Sequence, residues 1–195
     1  MAKADSEASK REKRKHIKWV VTIFLVTMLI SGTISFLSDI LMESSSMGVA
    51  FLILLAIILI GILFDIIGMA VATADEKPFH AMAARKVPGA RAAISLLRNA
   101  ERVSSICNDV VGDICGVVSG SASATIAAQI LRNFELSWPQ MVGLLMSALC
   151  AGLTVGGKAI GKSIAVNSCT EIVHTVGKVI FWFHNITGRS GKKKK

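Results

Sequence analysis

The stretch MGVAFLILLAIILIGILFDIIGMAVAT, residues 47–73, decides the fold class, and Asp65 is its only ionisable residue. An α-helix rises about 1.5 Å per residue, so about 20 apolar residues cross the hydrocarbon core of a bilayer. The stretch is long enough to do so. It therefore predicts a helix that spans a membrane rather than the core of a soluble protein.

The whole chain has the composition of a membrane protein. Of its 195 residues, 52% are hydrophobic and 18% are charged, and the mean hydropathy is +0.59. A typical soluble domain has about 25% charged residues, and a disordered chain has a low apolar content. The composition therefore argues against a soluble globular protein and excludes a disordered chain. The length is enough for three or four spans but not for a large soluble domain as well.

Three further apolar runs have spanning length. They cover residues 19–37, 106–131 and 138–157, and Trp138 suits a membrane–water interface. Basic residues precede the first run, but this run is too long for the core of a signal peptide and lacks a cleavage site. We therefore expect an all-α integral membrane protein with four transmembrane helices, and a polar turn at 39–46 after the first.

Basic residues are frequent between the second and third spans, at residues 75–105. The stretches 81–87 and 90–97 have the pattern of short amphipathic helices, which lie at a membrane surface and do not cross it. Apolar residues at helical spacing as far as Phe183 predict a similar helix after the fourth span. We expect these juxtamembrane helices on the cytoplasmic side.

The distribution of charge predicts the orientation. The chain has 22 basic and 13 acidic residues, a formal net charge of +9, and only Arg132 lies in the connections opposite the basic segments. The positive-inside rule then predicts a multi-pass protein of the cell membrane with both termini cytoplasmic. The predicted organisation is a basic arm at 1–18, an additional span at 19–38, a membrane domain at 47–184 and a basic tail at 185–195. An arm beside a span favours anionic lipid over nucleic acid as its partner.

Three acidic residues fall within the predicted spans: Asp65, Asp109 and Asp113. A carboxylate at the bilayer centre costs about 2.5–3.5 kcal/mol, and no lysine or arginine is expected inside the spans to neutralise it. Asp109 and Asp113 are four residues apart and share a helix face, and Asn108 adds an amide oxygen. Oxygen ligands without thiol or imidazole suit a hard cation such as Mg²⁺.

Other roles are open for these side chains. Asn108 and Asp109 also suit the N-terminal cap of a helix that starts after Ser105. Asp113 lies deeper, where a protonated carboxyl can bond to a neighbouring helix. The sequence has no GxSxG, HExxH or P-loop pattern, so we predict that the protein is not an enzyme.

Small residues recur at four-residue spacing in the last two spans, a pattern typical of close helix packing and favourable for a homodimer. In the third span they are Gly112, Gly116 and Gly120, beside Ser119, Ser123 and Ala127. In the fourth span they are Gly143, Ser147, Ala151, Gly152 and Gly156.

Four segments in the same order give the chain a resemblance to the cyclin M/CorC family of magnesium transporters. They are FDIIGMAVAT at 64–73, PGARAAISLLRNAER at 88–102, ICND at 106–109 and GKAIGK at 157–162. The counterparts in the family are a small-residue FSxxExAxxS stretch, an xGxxxAxxLLxxPER-like segment, an IGNN-like motif and a GExxPK motif. The second segment is the most specific match.

The resemblance implies a Mg²⁺ site formed by oxygens from three helices. Its ligands would be Asp65, Asn108, Asp109 and the backbone carbonyl near Gly157. The chain departs from the family pattern at three positions. The two glutamates of the family motifs are replaced by Gly68 and Lys158, and the proline of GExxPK by Gly161.

Two functions follow as expectations. The first is transport of divalent cations, with Mg²⁺ as the transported or bound ion, by helices that rock around a central site. The second is a non-transporting membrane scaffold or regulatory subunit that retains the fold. The chain ends where the regulatory nucleotide-binding domains of the family begin, so the resemblance also implies a separate cytoplasmic regulatory subunit.

Overall fold

The structure, a computed structural model, describes the backbone of residues 2–43, 45–134 and 138–191 and the side chains of 17–42, 45–134 and 138–186. Throughout these ranges the regular elements are helical, which confirms the predicted all-α class. The helices are α1 (Ala2–Glu43), α2 (Met47–Thr73), α3 (Lys77–Ala84), α4 (Ala90–Arg98), α5 (Ala100–Ser105), a π-helical segment (Ile106–Gly112), α6 (Asp113–Asn133), α7 (Pro139–Asn167) and α8 (Cys169–Gly191).

Four stretches are long and apolar enough to cross a membrane, as predicted. They are Ile17–Met42, Met47–Thr73, Ala100–Asn133 and Pro139–Asn167. The chain is therefore a multi-pass membrane protein by the length and composition of its helices. The side chains of the predicted basic arm up to residue 16, and residues 192–195 of the predicted tail, lie outside the described residues.

The first span is longer than the predicted 19–38, and the predicted polar turn is wrong in part. Asp39 lies inside α1, and its carboxylate accepts hydrogen bonds from Ser121 Oγ at 3.3 Å and Thr125 Oγ1 at 3.2 Å. These hydroxyl groups of α6 take the place of water. The helix can therefore continue past a charged residue, as far as Glu43.

Two short helices lie between the second and third spans, as predicted, with a shift in the first. It covers Lys77–Ala84 instead of 81–87, because Pro78 suits the first turn of a helix. It ends where Lys86 adopts a left-handed backbone conformation with φ of 56°. The second, Ala90–Arg98, extends one residue past the prediction. Phe79 of α3 is fully buried, which anchors this pair to the bundle.

The third span begins earlier than predicted. The helical stretch runs from Ala100 to Asn133, and Ile106–Gly112 within it is π-helical. The interpretation of Asn108 and Asp109 as N-terminal caps is wrong, because two helical turns precede them. The fourth span also exceeds the predicted 138–157, since α7 continues to Asn167 and includes Lys158 and Lys162.

Helix α2 is the centre of the bundle and contacts α5, the π-helical segment, α6, α7 and α8. Two apolar clusters pack along it. One joins Leu54 and Ile58 to Ile126 of α6 and Met146 of α7, near the connections after α1 and α6. The other joins Val71 to α3, α4, α7 and α8 at the opposite end. Asp65 lies on α2 between the two clusters.

Candidate cation site

The charged centre of the bundle is Asp65, one of the predicted metal ligands. Its side chain is only 8% exposed, between two apolar clusters. Its Oδ2 atom is buried and accepts no hydrogen bond from the described residues. Buried polar oxygens nearly always have a donor or a cation beside them, so this atom needs an explanation.

Lys158 of α7 is the counter-charge of Asp65. Its Nζ lies 3.7 Å from Asp65 Oδ1, and the lysine side chain is 22% exposed. The prediction that no lysine or arginine lies inside the spans is therefore wrong. It placed the end of the fourth span at Gly157, whereas α7 continues for ten residues beyond it and carries Lys158 to the level of Asp65.

Asn108 of the π-helical segment is the second predicted ligand near this centre. Its Nδ2 donates to Ser104 Oγ at 3.3 Å, and its Oδ1 points at Gly68 of α2. This oxygen is also buried without a hydrogen-bond partner in the described part of the chain. A Cβ at Gly68 would overlap Asn108 Oδ1. The absence of a side chain at Gly68 therefore makes room for Asn108.

Glycines let the helices approach closely around these polar groups. A Cβ at Gly112 would lie 3.3 Å from Lys158 Nζ and 3.8 Å from Asp65 Oδ1, so the backbone of the π-helical segment covers the ion pair. A Cβ at Gly61 would lie 2.8 Å from Cys115 Cβ, and one at Gly161 would lie 2.7 Å from Ile66 Cγ1. We call this region, formed by α2, the π-helical segment and α7 around Asp65, Asn108 and Lys158, the polar junction.

The remaining predicted ligands do not all face the polar junction. Asp109 is exposed, accepts a hydrogen bond from Ser105 Oγ at 2.8 Å, and lines a cavity beside Trp19 of α1. Asp113 is exposed as well. Gly157 lies close to the junction, but its α-carbon packs on Ile62. Asn108 and Asp109 are adjacent on one helix, so only one of them can point at α2.

The glycines of the predicted small-residue rows also differ in how closely they pack against other helices. Gly112 packs closely, whereas added Cβ atoms at Gly116, Gly120, Gly143, Gly152 and Gly156 would meet nothing within 4 Å. The close approach of α7 to α2 is made by Gly157 and Gly161, one helical turn apart. Gly157 and Gly161 are absent from the predicted rows of small residues, although their four-residue spacing is the same signal.

The polar junction thus holds one carboxylate, one amide oxygen and one ammonium group. Among the described residues, no group of three or more His, Cys, Asp or Glu side chains is arranged to hold a metal ion. A cation at the junction would take Asp65 Oδ2 and Asn108 Oδ1, with water or backbone oxygens completing its shell. Mg²⁺ commonly binds in this way, through one or two carboxylates and several waters.

The chain was compared with protein-family models, curated proteins and solved structures, and none of them matches it significantly. The similarity to the cyclin M/CorC family therefore stays a prediction that rests on the four segments at 64–73, 88–102, 106–109 and 157–162.

Proposed function

We propose that this protein transports divalent cations, Mg²⁺ foremost, through the polar junction. The observation that carries the proposal is the pair of buried oxygens, Asp65 Oδ2 and Asn108 Oδ1, that lack a hydrogen-bond partner among the described residues. Both are hard oxygen donors of the kind that Mg²⁺ prefers. An acidic residue that is costly to bury inside a membrane is also typical of an ion pathway.

The place of these oxygens supports the same function. They come from α2 and the π-helical segment, and α7 supplies the third wall at Lys158 and Gly157. These are the three helices from which the cyclin M/CorC resemblance takes its ligands. A π-helical turn inside an α-helix is itself frequent at functional sites, because it widens the helix and redirects side chains.

The proposal includes the membrane arrangement. The protein would lie in the cell membrane with both termini cytoplasmic, so that α3, α4 and α8 lie on the cytoplasmic side. The open glycines of α6 and α7, among them Gly116, Gly120 and Gly152, would meet a second copy in a homodimer. A separate cytoplasmic subunit would supply regulation.

The test is Mg²⁺ uptake by liposomes that contain the purified protein. We expect uptake above that of empty liposomes, and a loss of about tenfold or more in Asp65→Asn and Asn108→Ala, since each removes an oxygen from a small ligand set. Asp109→Asn and Asp113→Asn are matched controls, because these exposed carboxylates lie outside the junction. Uptake that depends on Asp109 and not on Asp65 would move the site to the cavity beside α1.

The ion pair favours a second candidate function, a scaffold or regulatory subunit without transport. Lys158 already neutralises Asp65 at 3.7 Å, and a bound cation would have to displace its ammonium group. Lys158→Met separates the two candidates in the uptake assay. If the protein is a transporter and Lys158 slows it, the rate of Mg²⁺ uptake rises in this variant. A folded protein that shows no uptake with either Lys158 or Met at this position is a scaffold.

A further inference from the structure

A surface cavity of about 330 Å³ lies where the loop between α3 and α4 meets the second half of α8. Lys86 and Arg91 line it from the loop and the first turn of α4, and Phe181 lines it from α8. The other described residues that line it carry no acidic side chain. The cavity is therefore cationic, with one aromatic wall.

Neither cation is engaged within the described part of the chain. Both side chains are exposed, and neither belongs to an ion pair there. Arg98, at the other end of α4, differs in this respect, because its Nε lies 3.8 Å from Glu76 Oε1. Two neighbouring unpaired cations around a cavity favour an anion as the occupant.

The backbone around the cavity is held in a defined shape. Gly89 has a φ of 85°, and a Cβ there would lie 2.6 Å from the backbone nitrogen of Lys178, so the loop packs directly on α8. His174 Nε2 lies 3.3 Å from the carbonyl oxygen of Pro88 and adds a polar contact between the loop and α8. The cavity is thus preformed, which lowers the entropic cost of binding a ligand.

The apolar surface beside the cavity indicates what kind of anion binds. Phe181 and Trp182 are 47% and 62% exposed, and Ile180 and Val179 are exposed as well. Aromatic and aliphatic side chains exposed on an amphipathic helix insert at the boundary between headgroups and acyl chains. In a bilayer spanned by α2 and α7, the cavity would therefore lie at the level of the lipid headgroups, near the ends of these two helices.

We propose that this cavity binds the phosphate group of an anionic glycerophospholipid. The phosphate lies between Lys86 and Arg91, and an acyl chain follows the apolar surface that begins at Phe181. Arg and Lys are the usual partners of phosphate, through bidentate hydrogen bonds and charge respectively. The site is independent of the polar junction and of whether the protein transports a cation.

The experiment is native mass spectrometry of the whole protein, released from neutral detergent after titration with phosphatidylglycerol or phosphatidylcholine. We expect one tightly bound phosphatidylglycerol in preference to phosphatidylcholine. The double variant Lys86→Asn/Arg91→Gln should lose about fivefold in affinity for each charge removed. Asn is chosen at position 86 because it tolerates the left-handed conformation there.

The double variant Lys77→Gln/Arg102→Gln is the matched control, since it removes the same charge from exposed positions outside the cavity. An equal loss in both double variants, or no preference in the original protein, overturns the proposal. Inorganic phosphate that displaces the lipid at millimolar concentration also overturns it, in favour of a soluble anion. If the double variant at the cavity does not fold, Arg91→Gln alone carries the test with its single fivefold loss.

Discussion

Helix α1 and the helical stretch Ala100–Asn133 show that a more apolar helix is not the more deeply buried one. The most apolar window of Ile17–Met42 has a mean hydropathy of 2.3, and none of it is buried in the protein. The corresponding window of Ala100–Asn133 has a mean hydropathy of only 1.6, yet 44% of it is buried. In a bilayer apolar side chains gain nothing by leaving lipid, so small and polar residues mark the inside of the bundle.

The two helices are also attached differently. Helix α1 is bonded to α6 near one end, through Asp39 and through the carbonyl of Met42, which accepts from Gln129 Nε2 at 2.7 Å. At the other end a cavity of about 560 Å³ lies between α1 and the start of the π-helical segment. The stretch Ala100–Asn133 instead packs on α2 along its length. We expect substitutions at the polar junction to cost far more than substitutions on α1.

The largest effect is expected at the ion pair of the junction. Asp65→Leu leaves the Lys158 ammonium group without its partner, and removal of one member of a buried pair costs about 3–5 kcal/mol. Lys158→Met leaves the carboxylate alone in the same way. The measurement is the free energy of unfolding in mixed micelles titrated with a denaturing detergent.

The double variant Asp65→Leu/Lys158→Met is the control for that prediction. Replacement of both charges by apolar side chains is often neutral or stabilising, so its stability should lie close to that of the original protein. A loss in the double variant equal to the sum of the two single losses would mean that the two charges do not interact. The polar junction would then lack the coupled charges that distinguish it from the surface of α1.

An intermediate effect is expected from Gly61→Ala. The added methyl group would meet Cys115 Cβ at 2.8 Å, an atom that cannot rotate away, so α2 and α6 must separate. Overpacking of this kind costs about 1–3 kcal/mol. Gly48→Ala on the same helix meets nothing within 4 Å and should change stability by about 0.5 kcal/mol or less. The same detergent titration compares them, and similar values for both would show that the close helix approach is unimportant.

The smallest effect is expected for α1. Thr125→Val keeps the shape of the side chain and removes the hydroxyl that donates to Asp39 at 3.2 Å. Hydrogen bonds between membrane helices contribute about 0.6 kcal/mol on average, so the loss should be of that size. Thr33→Val is the control, because the Thr33 hydroxyl bonds only to its own helix, at the carbonyl of Leu29. A loss above about 2 kcal/mol would mean that α1 is as firmly attached as the centre of the bundle.

Much of the fold could be predicted from the sequence, because spanning length and an apolar composition are sufficient to identify a membrane helix. The bounds of α2 agree with the prediction, since polar residues flank it on both sides. For the other spans, the prediction sets each end where charged residues begin. This rule failed at Asp39, which bonds to α6, and at Lys158, which pairs with Asp65. Such partners lie on distant segments, and helical periodicity carries no information about them.

The candidate site was predictable only in part for the same reason. Asp65 and Asn108 could be chosen because acidic and amide side chains are costly inside a membrane. The position of these two side chains relative to each other depends on the π-helical segment, which no local sequence pattern predicts. Regular α-helical spacing groups Asp109 and Asp113 with them, whereas both side chains are exposed. The direction of the Lys158 side chain depends on the position of α7 relative to α2, which no local sequence pattern encodes.

The π-helical segment Ile106–Gly112 changes the rotational register of the helical stretch Ala100–Asn133. Its turns are wider than those of an α-helix, so the residues before it are rotated about the axis relative to an unbroken α-helix. A single helical wheel drawn over 100–133 therefore mixes two faces. The face of α5 that meets α2 and the faces of α6 that meet α1, α2 and α7 each follow a regular period, but they are out of step with each other. Gain or loss of one residue within 106–112 would change which side chain, Asn108 or its neighbour, is directed at α2.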